Sequence, residues 1–162
     1  NELGGSYYLQ TEYGKKEGSV PEIDLENEMK LQELLISQIE SGKIKAAHDL
    51  SEGGFMVCLA EMLFGGNKLG LSLSIPEAER LDATLFGESQ GRVIVAVNPS
   101  DSLDLISNAE CAGVQIDSVG TVNVTGILKV NFGKEEVLCA KVEELHWVWE
   151  NAIPQHMESS KG

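Results

Sequence analysis

Apolar positions recur at helical spacing through the first third of the chain, at Leu31, Leu34, Leu35 and Ile39. Asp24 stands ahead of them as a natural N-cap, and Glu26 and Glu28 fall in the first turn, where the helix dipole favours acids. Gly42 follows as a stop, so a helix is predicted over 24–41. A short strand over 44–48 and a turn over 49–54 come next. The run 55–64 is apolar on nearly every side, interrupted by Glu61, and predicts a buried helix. Then Leu69, Leu71, Leu73 and Ile75 alternate with Gly70, Ser72 and Ser74, the period of a half-buried strand that Pro76 stops.

The second half reads similarly. Residues 81–86 suggest a short helix or turn, and RVIVAV over 92–97 is a β-branched run that predicts a central strand. Pro99, Ser100 and Asp101 start a helix to about Cys111, which Gly113 ends. Strands follow over 114–121 and 127–132, then a mainly helical segment over 137–156, with Trp147 and Trp149 packing the end of the chain. Residues 1–23 form a leading segment punctuated by Gly4, Gly5, Gly14, Gly18 and Pro21; a loop is expected over 15–19, and Tyr7, Tyr8, Leu9 and Tyr13 offer docking groups. Residues 157–162 read as a frayed, disordered tail. The order predicts an α/β (α+β) domain spanning 1–162, with one mixed sheet and helices packed on it.

Composition narrows the function. At 162 residues with 42% apolar residues, the chain can bury a core without metals or disulfides. A net charge of −14 with only 12 Lys and Arg argues against nucleic acid and anionic membranes as partners. Acidity still leaves room for a phosphorylated small molecule held by local backbone N–H groups. No apolar run reaches the ~18 residues of a membrane span. Cys58, Cys111 and Cys139 show no CxxC spacing, which reads as buried, reduced thiols in a cytoplasmic protein.

Two stretches can carry chemistry. In AHDLSEGG, residues 47–54, a strand ends at His48 and Asp49 and a helix begins soon after Ser51. Ligands favour such places, where strands end and helix N-termini point. Asp49 can hold magnesium through oxygen, His48 can donate a hydrogen bond or act as acid or base, and Gly53 and Gly54 let the backbone come close to a ligand or to another strand. The structural alternative is equally simple: Asp49 or Ser51 caps the helix, His48 is a hydrogen-bonder at a strand end, and the glycines serve packing. In FGESQGR, residues 86–92, Glu88, Ser89 and Gln90 occupy a loop and Arg92 can fork onto a phosphate or carboxylate; the alternative is a solvated turn with an Arg–Glu pair. Glu61 inside an apolar helix requires a partner. His146 and His156 read as surface or packing residues.

Taken with LGGSYYL (3–9), IDLENEMKLQELL (23–35), LAEM (59–62), LFGESQGRVIV (85–95) and GVQIDSVGTV (113–122), the two stretches carry a resemblance over about residues 3–155. The chain resembles the second-half C-terminal module of the AIR-synthase-related superfamily, in its small-type phosphoribosylformylglycinamidine synthase family. That resemblance implies an AIR-synthase C-terminal-domain-like fold. It further implies a part in an ATP- and magnesium-dependent C–N ligase of purine biosynthesis, converting formylglycinamide ribonucleotide to its amidine with ammonia. By the same resemblance Asp49 is the metal ligand. Glu88, Ser89, Gln90, Arg92, Ser51, Gly53, Gly54 and His48 are the substrate- and phosphate-binding residues, and no residue here is catalytic.

The implied partners are a preceding ATP-binding domain of the same protein, a glutaminase and a small accessory subunit. ATP and magnesium would serve the full-length enzyme without tight binding to this fragment, and the fragment alone would be inactive. Two other readings stand beside this one: a domain of another superfamily ATPase, such as the hydrogenase-maturation type, and a non-catalytic module that braces a partner half.

Overall fold

The computed structural model describes residues 2–65, 68–77 and 80–159. In chain order the elements are helix α1 (Tyr7–Tyr13), α2 (Leu25–Glu40), strand β1 (Ile44–Asp49), α3 (Gly54–Phe64), β2 (Gly70–Ile75), α4 (Leu81–Phe86), β3 (Val93–Val97), a 3-10 turn (Pro99–Asp101), α5 (Ser102–Ala112), β4 (Gly120–Asn123), β5 (Ile127–Phe132), β6 (Glu135–Lys141) and α6 (Val142–Ser159). They fall into two compact units, Asn1–Cys58 with Asp82–Ser118, and Leu59–Leu81 with Val119–Gly162.

In the first unit, helix ends follow their caps. The Ser6 hydroxyl accepts the Leu9 N–H at the start of α1, and Gly14 ends that helix in the left-handed region. The Asp24 carboxylate accepts the Glu26 and Asn27 N–H groups at the start of α2. Gln38, the buried polar residue of α2, accepts a hydrogen bond from Asn108 of α5 at 3.3 Å. Strands β1 and β3 form an antiparallel two-stranded sheet with Asp49 opposite Val93 and His48 opposite Ile94. The core of this unit includes Ile44, Leu50, Phe55, Met56, Leu85, Leu105 and Ala109.

The second unit is a four-stranded mixed sheet in the order β4-β2-β5-β6, with β2 parallel to β5 and the other pairs antiparallel. The alternation of β2 sorts its side chains by face: Leu71, Leu73 and Ile75 are buried while Ser72 and Ser74 are exposed. Leu73 and Leu128 are 1% exposed and Val130 is 0% exposed, which places the centre of this core on β2 and β5. Burial at that depth contributes about 1.5–3 kcal/mol per side chain. Glu61 finds the partner it requires: its Oε1 accepts the Trp149 indole N–H at 3.1 Å. Phe64 stacks on His146 with ring centroids 4.8 Å apart, which makes His146 a packing residue.

The mixed α/β class is as predicted, with several local differences. Among the described residues the strands form two sheets instead of one and β3 pairs with β1 alone, so RVIVAV is not a central strand there. The predicted strand over 114–121 shortens to β4, because Val114 N–H returns to Ala109 O to finish α5. The segment predicted helical from 137 begins as β6, since Gly133, at φ 58°, turns the chain back onto β5. Helix α1 breaks the leading segment, and α6 runs through Ser159 into the stretch read as a tail. Residues 160–162 lie outside the described residues. Trp147 is 57% exposed, whereas Trp149 donates to Glu61 and lies against the rings of Phe64 and His146. Cys58 is buried, but Cys111 and Cys139 are exposed. Among the described residues no helix is long and apolar enough to cross a membrane.

Candidate functional site

Pairing of β1 with β3 brings the two motifs side by side within the first unit. One strand ends at Asp49 where the other begins at Val93, and the Leu50 N–H donates to the Arg92 carbonyl at 2.9 Å just beyond. The loops that follow and precede these strands therefore share one end of the sheet. There they line a cleft of about 660 Å³. Its polar wall holds Asp49, Ser51, Glu52, Glu88, Gln90 and Arg92. Val20, Pro21, Ile23 and Leu31 add an apolar wall, and Glu28 and Gln32 of α2 add polar groups.

Asp49 projects into solvent, with its side chain 74% exposed. The Ser51 hydroxyl donates to its Oδ2 at 2.6 Å. That bond, its own backbone N–H and the neighbouring His48 hold the Asp49 carboxyl below its ordinary pKa. The group is thus an ionised hard-oxygen donor fixed in place, the chemistry magnesium takes when its remaining positions are water and phosphate. Among the described residues no N–H at the start of α3 donates to the side chain of Asp49 or Ser51. His48 Nδ1–H donates to the Asp49 carbonyl at 2.8 Å, and His48 does not line the cleft.

Arg92 is half-buried on the cleft wall. Burial pushes its guanidinium below the usual value, and Cys58 offsets this only in part. Among the described residues it makes no ion pair, so the Arg–Glu pair considered from sequence does not form. Arg92 lines the cleft, and a guanidinium is the kind of group that takes a phosphate or carboxylate through two N–H bonds. Yet four carboxylates, Glu28, Asp49, Glu52 and Glu88, line the same cleft. A multiply charged phosphate would be repelled there unless a cation accompanied it.

The glycine pair does other work. Gly53 and Gly54 adopt φ of 81° and 66°. The Gly53 N–H donates to Glu88 Oε1 at 2.8 Å and the Gly54 N–H to the Ser51 carbonyl at 3.1 Å, so both amides have protein partners. A Cβ on Gly54 would lie 2.7 Å from the Phe86 carbonyl carbon and 2.8 Å from the Gly87 oxygen. The first motif therefore needs a glycine there because the second motif's backbone rests on it. Neither glycine lines the cleft, nor does Ser89, whereas Gln90 does.

Sequence reasoning missed the apolar wall and the part played by the leading segment. Gly4 and Gly5 reach the cleft because the chain crosses itself there: a Cβ on Gly18 would lie 2.6 Å from the Gly4 Cα. The Gly5 N–H donates to the Glu17 carbonyl at 3.0 Å and closes the loop. The spaced glycines were the available signal. The Tyr8 ring, stacked on Phe86 at 4.7 Å and 2°, then docks α1 beside the second motif.

Comparison with known proteins extends this picture. Residues 1–133 match the family described as AIR synthase related protein, C-terminal domain. A curated relative, phosphoribosylformylglycinamidine synthase subunit PurL of Salinibacter ruber, is 41% identical over 151 residues, covering 93% of this chain and 20% of the relative. The chain thus spans about a fifth of that relative's length. Two solved structures share the fold: T. maritima PurL complexed with FGAR (TM-score 0.72, 23% identity, 84% of this chain and 23% of that one), and T. maritima PurL complexed with ATP (TM-score 0.71, 22% identity, 88% and 24%).

Proposed function

Because the chain belongs to the AIR synthase related family, as a C-terminal domain, we propose that it is the C-terminal domain of a phosphoribosylformylglycinamidine synthase. The intact protein would act as a cytoplasmic C–N ligase in purine biosynthesis. ATP transfers its terminal phosphoryl group to the amide oxygen of formylglycinamide ribonucleotide. Ammonia adds at that carbon, and phosphate leaves with the oxygen to give the amidine. The observation that carries this reading is the 41% identity extending over 93% of the chain.

Within that enzyme, the cleft is our candidate for half of a site for a phosphorylated ligand. Arg92 would grip the phosphate, Asp49 would share its magnesium, and Gln90 would hydrogen-bond the ligand. Binding and orientation of this kind are what the protein contributes to phosphoryl chemistry. The ATP-binding domain of the same protein would complete the site. A glutaminase and a small accessory subunit would supply and channel ammonia, in keeping with the word "subunit" in the relative's name.

The intact protein, given ATP, magnesium, ammonia and formylglycinamide ribonucleotide, should form the amidine with release of one phosphate, whereas this 162-residue chain alone should not. ATP hydrolysis by the intact protein without amidine would instead favour another ATPase of the superfamily. The bracing reading keeps one supporting observation: Glu88 and the Gly53 amide are committed to each other instead of to open solvent.

A further inference from the structure

Glu88 lies on the cleft, and the resemblance makes it a substrate contact. Its hydrogen bonds point elsewhere. A single oxygen, Oε1, accepts two backbone N–H groups, that of Tyr7 at 2.9 Å and that of Gly53 at 2.8 Å. Tyr7 is the first residue of α1, and Gly53 immediately precedes α3. The first N–H groups of a helix have no partner within it, and the positive end of the helix dipole attracts a carboxylate. One side chain thus serves the N-termini of two helices that are remote in sequence.

The surroundings support the same role. Phe86 and Gly87, immediately before Glu88, lie where a Cβ on Gly54 would collide, and Phe86 stacks on Tyr8 of α1. Three segments meet at this point: the leading segment, the glycine turn and the loop 87–91. Each also lends residues to the cleft: Gly4 and Gly5, Ser51 and Glu52, and Gln90 and Gly91. We propose that Glu88 is a positioning residue, a clamp that holds the leading helix and the glycine turn together and so sets the shape of the cleft in which Arg92 and Gln90 act.

The proposal rests on the reading that the cleft binds a ligand of the synthase, but its geometry can be scored separately. Glu88→Gln keeps Oε1 as an acceptor and removes the charge. Glu88→Asp keeps the charge and is one methylene, about 1.5 Å, too short to reach both amides. In the intact protein, hydrogen exchange resolved over Tyr7 and Gly53 should show both amides protected in the wild type and in Glu88→Gln. In Glu88→Asp both should exchange about tenfold faster, the change expected for loss of a charge-assisted bond.

In turnover, Glu88→Gln should keep the KM for formylglycinamide ribonucleotide within about threefold, while Glu88→Asp raises it about tenfold or more. Free-peptide exchange at Tyr7 and Gly53 in the wild type would overturn the clamp without any variant being needed. So would a Glu88→Gln enzyme that loses affinity while both amides stay protected, since the charge would then be touching ligand. Absence of amidine formation in every variant, with the exchange pattern as expected, would overturn the synthase reading and leave the clamp standing.

Discussion

Replacing Gly54 with alanine tests the physical link between the two motifs. Gly54 has φ 66°, and an added Cβ would lie 2.7, 2.8 and 2.9 Å from backbone atoms of Phe86 and Gly87. Two costs add. The left-handed conformation costs a residue with a Cβ about 1–2 kcal/mol. Displacing packed backbone adds the overpacking cost, roughly 1–3 kcal/mol. Gly42 supplies the internal control, with φ 73° and no heavy atom within 4 Å of where an added methyl would sit. Gly42→Ala carries the conformational cost alone, about 1–2 kcal/mol. Urea denaturation of the chain and the two variants should place Gly54→Ala below Gly42→Ala by about 1–3 kcal/mol. The corresponding gap in Tm is roughly 2–12 °C for a chain of this size. Equal losses in the two variants would mean that the loop 86–87 does not rest on the glycine turn, and the account of how the motifs shape one cleft would fail.

Other outcomes follow from the same structure. Ser51→Ala removes the largest cause of the depressed Asp49 pKa, so an NMR titration should find the Asp49 midpoint higher in the variant. With a native pKa below the unfolded one, Asp49 contributes stability that is present above the unfolded pKa and lost as pH falls through the native one; the variant should narrow that acid window. Leu73→Ala, at a position 1% exposed in the mixed sheet, should cost about 2–5 kcal/mol in denaturation, and a loss below about 1 kcal/mol would contradict the placement of the second core. Trp149→Phe removes the bond to Glu61 on an indole that is 55% exposed, so stability should fall by about 1 kcal/mol or less.

Local chemistry was the legible part of the fold. Asp24, Glu26, Glu28 and Gly42 mark α2 because caps and dipoles act within a turn of the chain, and Leu71, Leu73 and Ile75 mark β2 because alternation acts within a strand. What escaped depended on partners far along the chain. VLCAK becomes β6 because β5 is there to pair with it, and RVIVAV loses its central place because among the described residues it pairs with β1 alone. The site divides in the same way. AHDLSEGG and FGESQGR drew attention as motifs, and Asp49, Ser51, Gln90 and Arg92 do meet on one cleft. The commitment of Gly53 and Glu88 to each other, and the wall built from Val20, Ile23 and Leu31, required the folded register to appear.

The most direct test of the central claim is a crystal structure of the intact protein grown with magnesium, a non-hydrolysable ATP analogue and formylglycinamide ribonucleotide. The account predicts a phosphate of one ligand within about 3 Å of the Arg92 guanidinium, with the metal against the Asp49 carboxylate. Both ligands bound elsewhere, with Arg92 and Asp49 facing only water, would contradict it.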